Sequence, residues 1–255
     1  MGGRAILEFA VEDYWGAVVS QGTRAIDLAG PQSFYVASVH FYHTNQDIHA
    51  AYARFLKRVG RPGWNTESGP SCPSFYANLP TFESVTREGH RASTLDAVRK
   101  TTSSNVNNYL MSLSIGGMEK YMYYFCRFAN ASPSQPQLRQ GSTKDCVEYD
   151  GALRANAVAM SIASHFLDGA KYAGPWAKDG IEAHLFERGP QTVGFLWLKE
   201  GKSLAPGTGG LVLYDLMGNG LEPGKTHRPG DDPVYFTCQG GRIVAEGLLG
   251  ELKAK

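Results

Sequence analysis

Several things are missing from this sequence. Charge of one sign is the first: 25 lysines and arginines meet 24 aspartates and glutamates, for a net charge of +1. There is no Lys/Arg cluster, so the chain offers no basic field to nucleic acid or to anionic lipid. No apolar run reaches the roughly 18–20 residues of a membrane helix. The opening stretch MGGRAILEFAVEDYW has no apolar core long enough for a signal peptide. The expectation is a soluble protein without a membrane partner and, in this chain, without a secretory leader. Cysteine is sparse: Cys72, Cys126, Cys146 and Cys238 show no C-x-x-C spacing, which argues against a zinc ribbon or a redox motif. Cys126–Cys146 is the pair to test for a disulfide. No G-x-G-x-x-G follows a strand and no G-x-S-x-G occurs, so neither a nucleotide enzyme nor a serine hydrolase is indicated. His43 and His49 have no acidic partner at ligand spacing, and Asp231-Asp232 reads as a charged turn, so no metal is expected.

What the chain does have is aromatic residues and turns. Tyr, Phe and Trp number 13, 12 and 4, beside 30 Gly and 13 Pro, enough for a sizeable core or for stacking on sugars. Apolar residues recur at 3- and 4-residue steps over 12–29, 47–59, 91–115 and 151–170, the spacing of helices. Between them, FYVASVHFY (34–42), PGWNTE (62–67) and EKYMYYFC (119–126) read as strands, and 5–10 as a further one. Such alternation predicts a parallel sheet with crossover helices. After about residue 180 the pattern changes to short β runs divided by Gly and Pro: IEAHLFERG, TVGFLWLKEG, GLVLYDLMG, DPVYFTC and GRIVAEGLL. These predict an antiparallel β-sandwich. The boundary falls at about 175, giving units 1–175 and 176–255.

In a parallel sheet of this kind, chemistry belongs at the C-terminal strand ends. Glu67 stands where its strand should stop, before Ser68-Gly69-Pro70. His40 and Tyr42 stand near the end of the preceding strand, two residues apart and so pointing the same way. Tyr42 is placed to hydrogen-bond Glu67 and keep it ionised. Each residue also has an ordinary counterpart reading. A lone strand histidine is commonly satisfied by backbone, Trp64 can fill core, and a loop carboxylate can cap a turn.

GRPGWNTESG resembles the seventh-strand motif of clan A retaining glycoside hydrolases, whose nucleophile is a Glu at that strand end. VASVHFYHT is similar to their sixth strand, GGMEKYMYYF to their eighth, and LVLYDLMGN with DPVYF to the β-domain that many of them append. The resemblance implies an α/β fold made of a partial (β/α) barrel, about strands five to eight, followed by an antiparallel β-sandwich. It implies hydrolysis of a carbohydrate substrate without a cofactor. The implied catalytic group is Glu67 with His40 and Tyr42, and the sugar contacts are Trp64, Asn65, Tyr123 and Tyr124.

The family's acid/base, the Glu of an Asn-Glu pair, has no counterpart, because the sequence contains no Asn-Glu dipeptide. Glu8 and Glu12 are the early acids that could replace it. Glu8 also reads as a rim residue, and Glu12 as a first-turn acid favoured by the helix dipole. A half-barrel exposes strand edges, so self-association that completes the barrel is expected. The alternative function is a carbohydrate-binding or structural remnant that lacks a working acid/base.

Overall fold

The computed structural model describes residues 5–10, 30, 32, 34–41, 44–69, 88–123, 146, 153–206 and 209–254. They fall into two compact units, Met1–Ala152 and Leu153–Lys255.

In the first unit, strands β1 (Ala5–Ala10), β2 (Phe34–Phe41), β3 (Gly63–Ser68) and β4 (Met118–Tyr123) lie side by side in chain order, all parallel. Parallel neighbours need long crossovers. Helix α1 (Gln46–Val59) joins β2 to β3, and α2 (Glu88–Leu113) joins β3 to β4. Among the described strands the order never reverses, so they form no switch point of the doubly wound kind. Both helices and all four strands are legible in the sequence to within a few residues. The helix expected over 12–29 lies outside the described residues.

The ends of α1 follow from its sequence. Asn45 caps it by accepting from the amides of Asp47 at 2.8 Å and Ile48 at 3.4 Å. Gly60 ends it in the left-handed conformation, φ 64°, with its N–H donating to the Leu56 carbonyl. Its inner face sets Tyr52, Phe55, Leu56 and Val59 against Ala37 and Val39 of β2 and Met118 of β4. Gly63 lets this layer close: a Cβ there would meet Leu56 Cδ1 at 2.4 Å and Met118 Sδ at 2.8 Å.

Helix α2 is buried differently. Leu110 and Val106 are in the core as its spacing suggests, but Thr101, Thr102, Ser103, Asn105, Asn107, Asn108, Ser112 and Ser114 are buried too. Small polar side chains enclosed in this way must find hydrogen-bond partners.

The second unit begins with α3 (Ala155–Leu167). It continues through β5 (Lys171–Lys178), β6 (Ile181–Arg188), β7 (Gln191–Leu198), β8 (Leu204–Ala205), β9 (Leu211–Tyr214), β10 (Val234–Gln239), α4 (Arg242–Gly250) and β11 (Lys253–Ala254). Five strands form an antiparallel sheet in the order β5-β6-β7-β10-β9, and β11 pairs with β8. The β5–β6 turn is Asp179-Gly180, with φ of 51° and 85°, the two-residue hairpin that Asp-Gly favours. On one face Leu185, Leu196, Leu213 and Phe236 pack against Leu204 of β8 and Ala245 and Leu249 of α4. On the other, Phe166 of α3 stacks on Tyr235, ring centroids 4.7 Å apart.

Two expectations need correcting. GRIVAEGLL is a helix, α4. Its Ala245 and Leu249, four residues apart, face the sheet, whereas Ile243 is 85% exposed; Arg242 and Glu246 pair across one turn at 2.6 Å. The layer against the antiparallel sheet is therefore part helix. The units also divide between Ala152 and Leu153, earlier than the boundary drawn near 175. Helix α3 belongs to the second unit because Phe166 packs on Tyr214 and Tyr235.

Candidate functional site

The site begins with an irregularity in β3. Against β2, Ser38 pairs with Trp64 and Val39 with Asn65, but His40 pairs with Glu67, so Thr66 is an extra residue. Against β4, Asn65 pairs with Tyr121 and Ser68 with Tyr123, leaving one extra residue in the same span. This is a β-bulge. Strict alternation from Trp64 would turn Glu67 to the face of Asn65. The bulge returns Glu67 to the face of Trp64, Ser38 and His40 and sends Ser68 to the other. The hydroxyls of Ser38 and Thr66 lie 2.5 Å apart, and Thr66 also donates to the Val39 carbonyl at 3.4 Å, which ties the extra residue to β2.

Glu67 Oε2 then lies 3.4 Å from His40 Nδ1, with the side chains 30% and 25% exposed. A carboxyl group and an imidazole are thus held together at the C-terminal ends of two parallel strands, both partly exposed. Lys120 of β4 pairs with Trp64, its Nζ 4.6 Å from the centre of the Trp64 ring. That cation occupies one face of the indole.

The remaining expected residues sit as follows. Asn65 has no exposed surface and shares the helix-covered face with Val39. Tyr123 ends β4 opposite Ser68, half-buried. Glu8 pairs in register with Ser38, two rungs before Ala10 pairs with His40. Tyr42, Tyr124, Glu12, His43 and Cys126 lie outside the described residues. Among the described residues no three His, Cys, Asp or Glu cluster as a metal site. Asp231 and Asp232 lie in the turn before β10. Cys238 is a buried free thiol, and burial pushes its pKa up.

Sequence reasoning misses the group behind the carboxylate. Asn108 of α2 donates from Nδ2 to Ser68 Oγ at 2.9 Å and to the Gly69 carbonyl at 2.8 Å. Ser68 hydrogen-bonds the Tyr121 phenol, and Tyr121 donates to Asn105 Oδ1 at 3.1 Å. Burial drives the Tyr121 pKa well above its ordinary value, with the Ser68 hydrogen bond acting against that rise. The only sequence signal is the run TTSSNVNN, too polar for the buried helix it forms. A second polar group, in the antiparallel sheet, also escapes the sequence. His184 is buried with its Nδ1 2.8 Å from the Tyr172 hydroxyl and its Nε2 3.4 Å from Glu182. Burial raises Tyr172 to about 12.

Two solved structures share this architecture. One is a family 39 glycoside hydrolase from the gut symbiont Bacteroides cellulosilyticus WH2, with a TM-score of 0.57 at 12% identity over 85% of this chain and 47% of that one. Over the matched portion the chain shares the fold of that structure. The other is a GH30 endoxylanase from Clostridium papyrosolvens C71, with a TM-score of 0.52 at 12% identity over 89% of this chain and 58% of that one. The resemblance to clan A enzymes therefore holds at the level of the fold, and this chain spans about half the length of these glycoside hydrolases. No family model and no curated protein matches the sequence. No described helix is long and apolar enough to cross a membrane.

Proposed function

We propose that the first unit is the C-terminal portion of a (β/α) barrel and carries the nucleophile of a retaining glycoside hydrolase, Glu67. The observation that carries this reading is the His40–Glu67 pair at the ends of adjacent parallel strands, where barrel enzymes keep their chemistry. The unreversed strand order 1-2-3-4 supports it. Glu67 attacks the anomeric carbon, and the leaving oxygen takes a proton from a second carboxyl group about 5–5.5 Å away. Water then releases the sugar, with that second group acting as base. His40 orients the Glu67 carboxylate, and Tyr42 adds a hydrogen bond to it. Trp64 and Tyr124 form the sugar platform, while Tyr123, in register with Ser68 on the other face, does not join it. Asn65, enclosed on the other face, fixes the strand instead of touching sugar. Glu8 is the acid/base within the chain, and a second copy that closes the sheet is the other source of one. The second unit, with its antiparallel sheet, corresponds to the appended β-domain.

The test is turnover by the purified full chain of a panel of aryl glycosides, xylosides included, beside Glu67→Gln. The expected loss in the variant is about 10³-fold or more. Glu8→Gln should slow substrates with poor leaving groups far more than activated ones, the signature of a lost general acid. Equal slowing across leaving groups removes Glu8 from that role. The mass in solution, expected to be that of an oligomer, tests closure by a second copy.

One observation favours a different reading. The absence of an Asn-Glu pair fits a carbohydrate-binding protein without turnover. Retention of an intact oligosaccharide by a folded protein that hydrolyses none of the panel would decide for it.

A further inference from the structure

We infer that Asn108 is a positioning residue for Glu67, an inference that rests on the nucleophile reading of that carboxylate. The backbone ladder is irregular where Glu67 stands. Beside β2 it slips between Val39 and His40, and beside β4 between Asn65 and Ser68. Ladder hydrogen bonds alone therefore define the aim of this side chain poorly.

Side chains on the opposite face supply what the ladder lacks. The two residues directly after Glu67 are gripped by one amide group, Asn108 Nδ2, at 2.9 Å to Ser68 Oγ and 2.8 Å to the Gly69 carbonyl. Asn108 and Ser68 have no exposed surface, so these bonds form where water does not compete and an unmade one is costly. The grip extends in both directions. Ser112 Oγ lies 3.5 Å from Asn108 Oδ1, and Ser68 is bonded to Tyr121, which donates to Asn105 one turn earlier on α2. One helix thus holds the strand end through two of its own residues and one from β4. Ser68 pulled inward on this face is the counterpart of Glu67 turned outward on the other. Asn108→Leu fills the same space apolarly but removes the amide that grips both Ser68 and Gly69.

The experiment uses the full chain and two readouts. The first is kcat and KM on an aryl glycoside. The second is the His40 ring-proton resonances at fixed pH, which sense the Glu67 carboxylate 3.4 Å away whether or not turnover occurs. Glu67→Gln defines the full displacement of those resonances. Asn108→Leu should give more than half of it and lower kcat about 10–100-fold with little change in KM, the cost of a misplaced catalytic group. Ser68→Ala should act in the same direction and add little to Asn108→Leu, because both break one linkage. Asn107→Ala removes a buried amide that bonds Ser103 within α2 and should leave both readouts unchanged, whatever it does to the melting temperature. If folded Asn108→Leu leaves the His40 resonances where Asn107→Ala leaves them, the inference is overturned. If Asn108→Leu does not fold, Ser68→Ala decides between the same two outcomes by the same resonances. Absence of turnover in the parent, or turnover that survives Glu67→Gln, rejects the nucleophile reading separately, and the resonances still decide whether Asn108 sets the place of Glu67.

Discussion

Thr66 is the extra residue around which β3 keeps Glu67 on the face of Trp64. With Thr66 present, β3 carries one residue more than either neighbour in that span. Deleting Thr66 makes Asn65 and Glu67 adjacent, so plain alternation keeps Glu67 on the face of Trp64 and leaves Asn65 and Ser68 on the enclosed face. The deletion should therefore spare most of the turnover, and it loses only what Thr66 itself bonds on β2. Thr66→Ala keeps the residue count and removes the hydroxyl that meets Ser38 together with one methyl group. It should cost about 0.5–1.5 kcal/mol and spare most of the activity. Denaturation and aryl-glycoside assays on both variants check this; a folded deletion variant without turnover would show that the bulge does more than keep Glu67 on its face. The same residue marks the limit of reading the site from sequence. The stretch WNTESG points to Glu67, and the two-residue spacing from His40 to Tyr42 suggests a partner on the next strand. A period of two, however, counts Glu67 onto the face of Asn65, and nothing in the local sequence announces the extra residue. Asn65 therefore reads as a sugar contact beside Glu67 until the bulge separates the two. Asn108, forty residues beyond Ser68, gives no local sign of its role at all.

Secondary-structure elements are legible where their ends carry chemical signals. Asn45 and Gly60 bracket α1, and its apolar spacing survives into the core. Helix α4 is not legible as a helix, because Ile243 and Val244 give GRIVAEGLL a β-like composition while both are exposed. The burial of Ala245 and Leu249 overrides that local preference. The centre of the antiparallel sheet offers a sharper test of packing. Gly194 lies in β7 between Leu185 of β6 and Phe236 of β10. A Cβ there would stand 2.2 Å from the His184 carbonyl oxygen and 2.6 Å from Phe236 Cζ. The backbone oxygen cannot swing aside as a flexible side chain would, so Gly194→Ala should destabilise the protein by at least about 2 kcal/mol. Gly189→Ala, at the β6–β7 turn with nothing within 4 Å of the added atom, bears only the strain of its positive φ of 59° and should cost less. Urea titration of the two variants would sink the packing account if their order were reversed.

For the whole molecule, the class of fold is readable from the change of pattern along the chain: crossover helices and parallel strands first, Gly-divided β runs later. The point of division is not, because α3 has the same apolar spacing as the helices before it, and only the packing of Phe166 on Tyr214 and Tyr235 assigns it to the second unit. Both units carry tyrosines whose phenols resist ionisation. Tyr52 is 2% exposed in the α1 core, and burial raises its pKa far above the ordinary tyrosine value, as it does for Tyr121 in the network under β3. Tyr172 of the second unit rises to about 12. The sign follows from linkage. Above about pH 10 the unfolded chain releases these protons while the folded chain retains them, so unfolding is favoured as pH rises. Below that, both states hold the protons and these groups make stability independent of pH. The urea midpoint should therefore be unaffected by these groups up to about pH 9.5 and fall beyond it, each enclosed phenol adding up to about 1.4 kcal/mol per pH unit. Tyr52→Phe and Tyr121→Phe should each flatten the alkaline slope, and Tyr172→Phe should do so least, because its phenol reaches solvent. If all three variants kept the parent's slope, the enclosed phenols would not be the source of alkaline unfolding. Tyr121→Phe also breaks the link from Ser68 to Asn105, so alone among the three it should lower kcat at neutral pH.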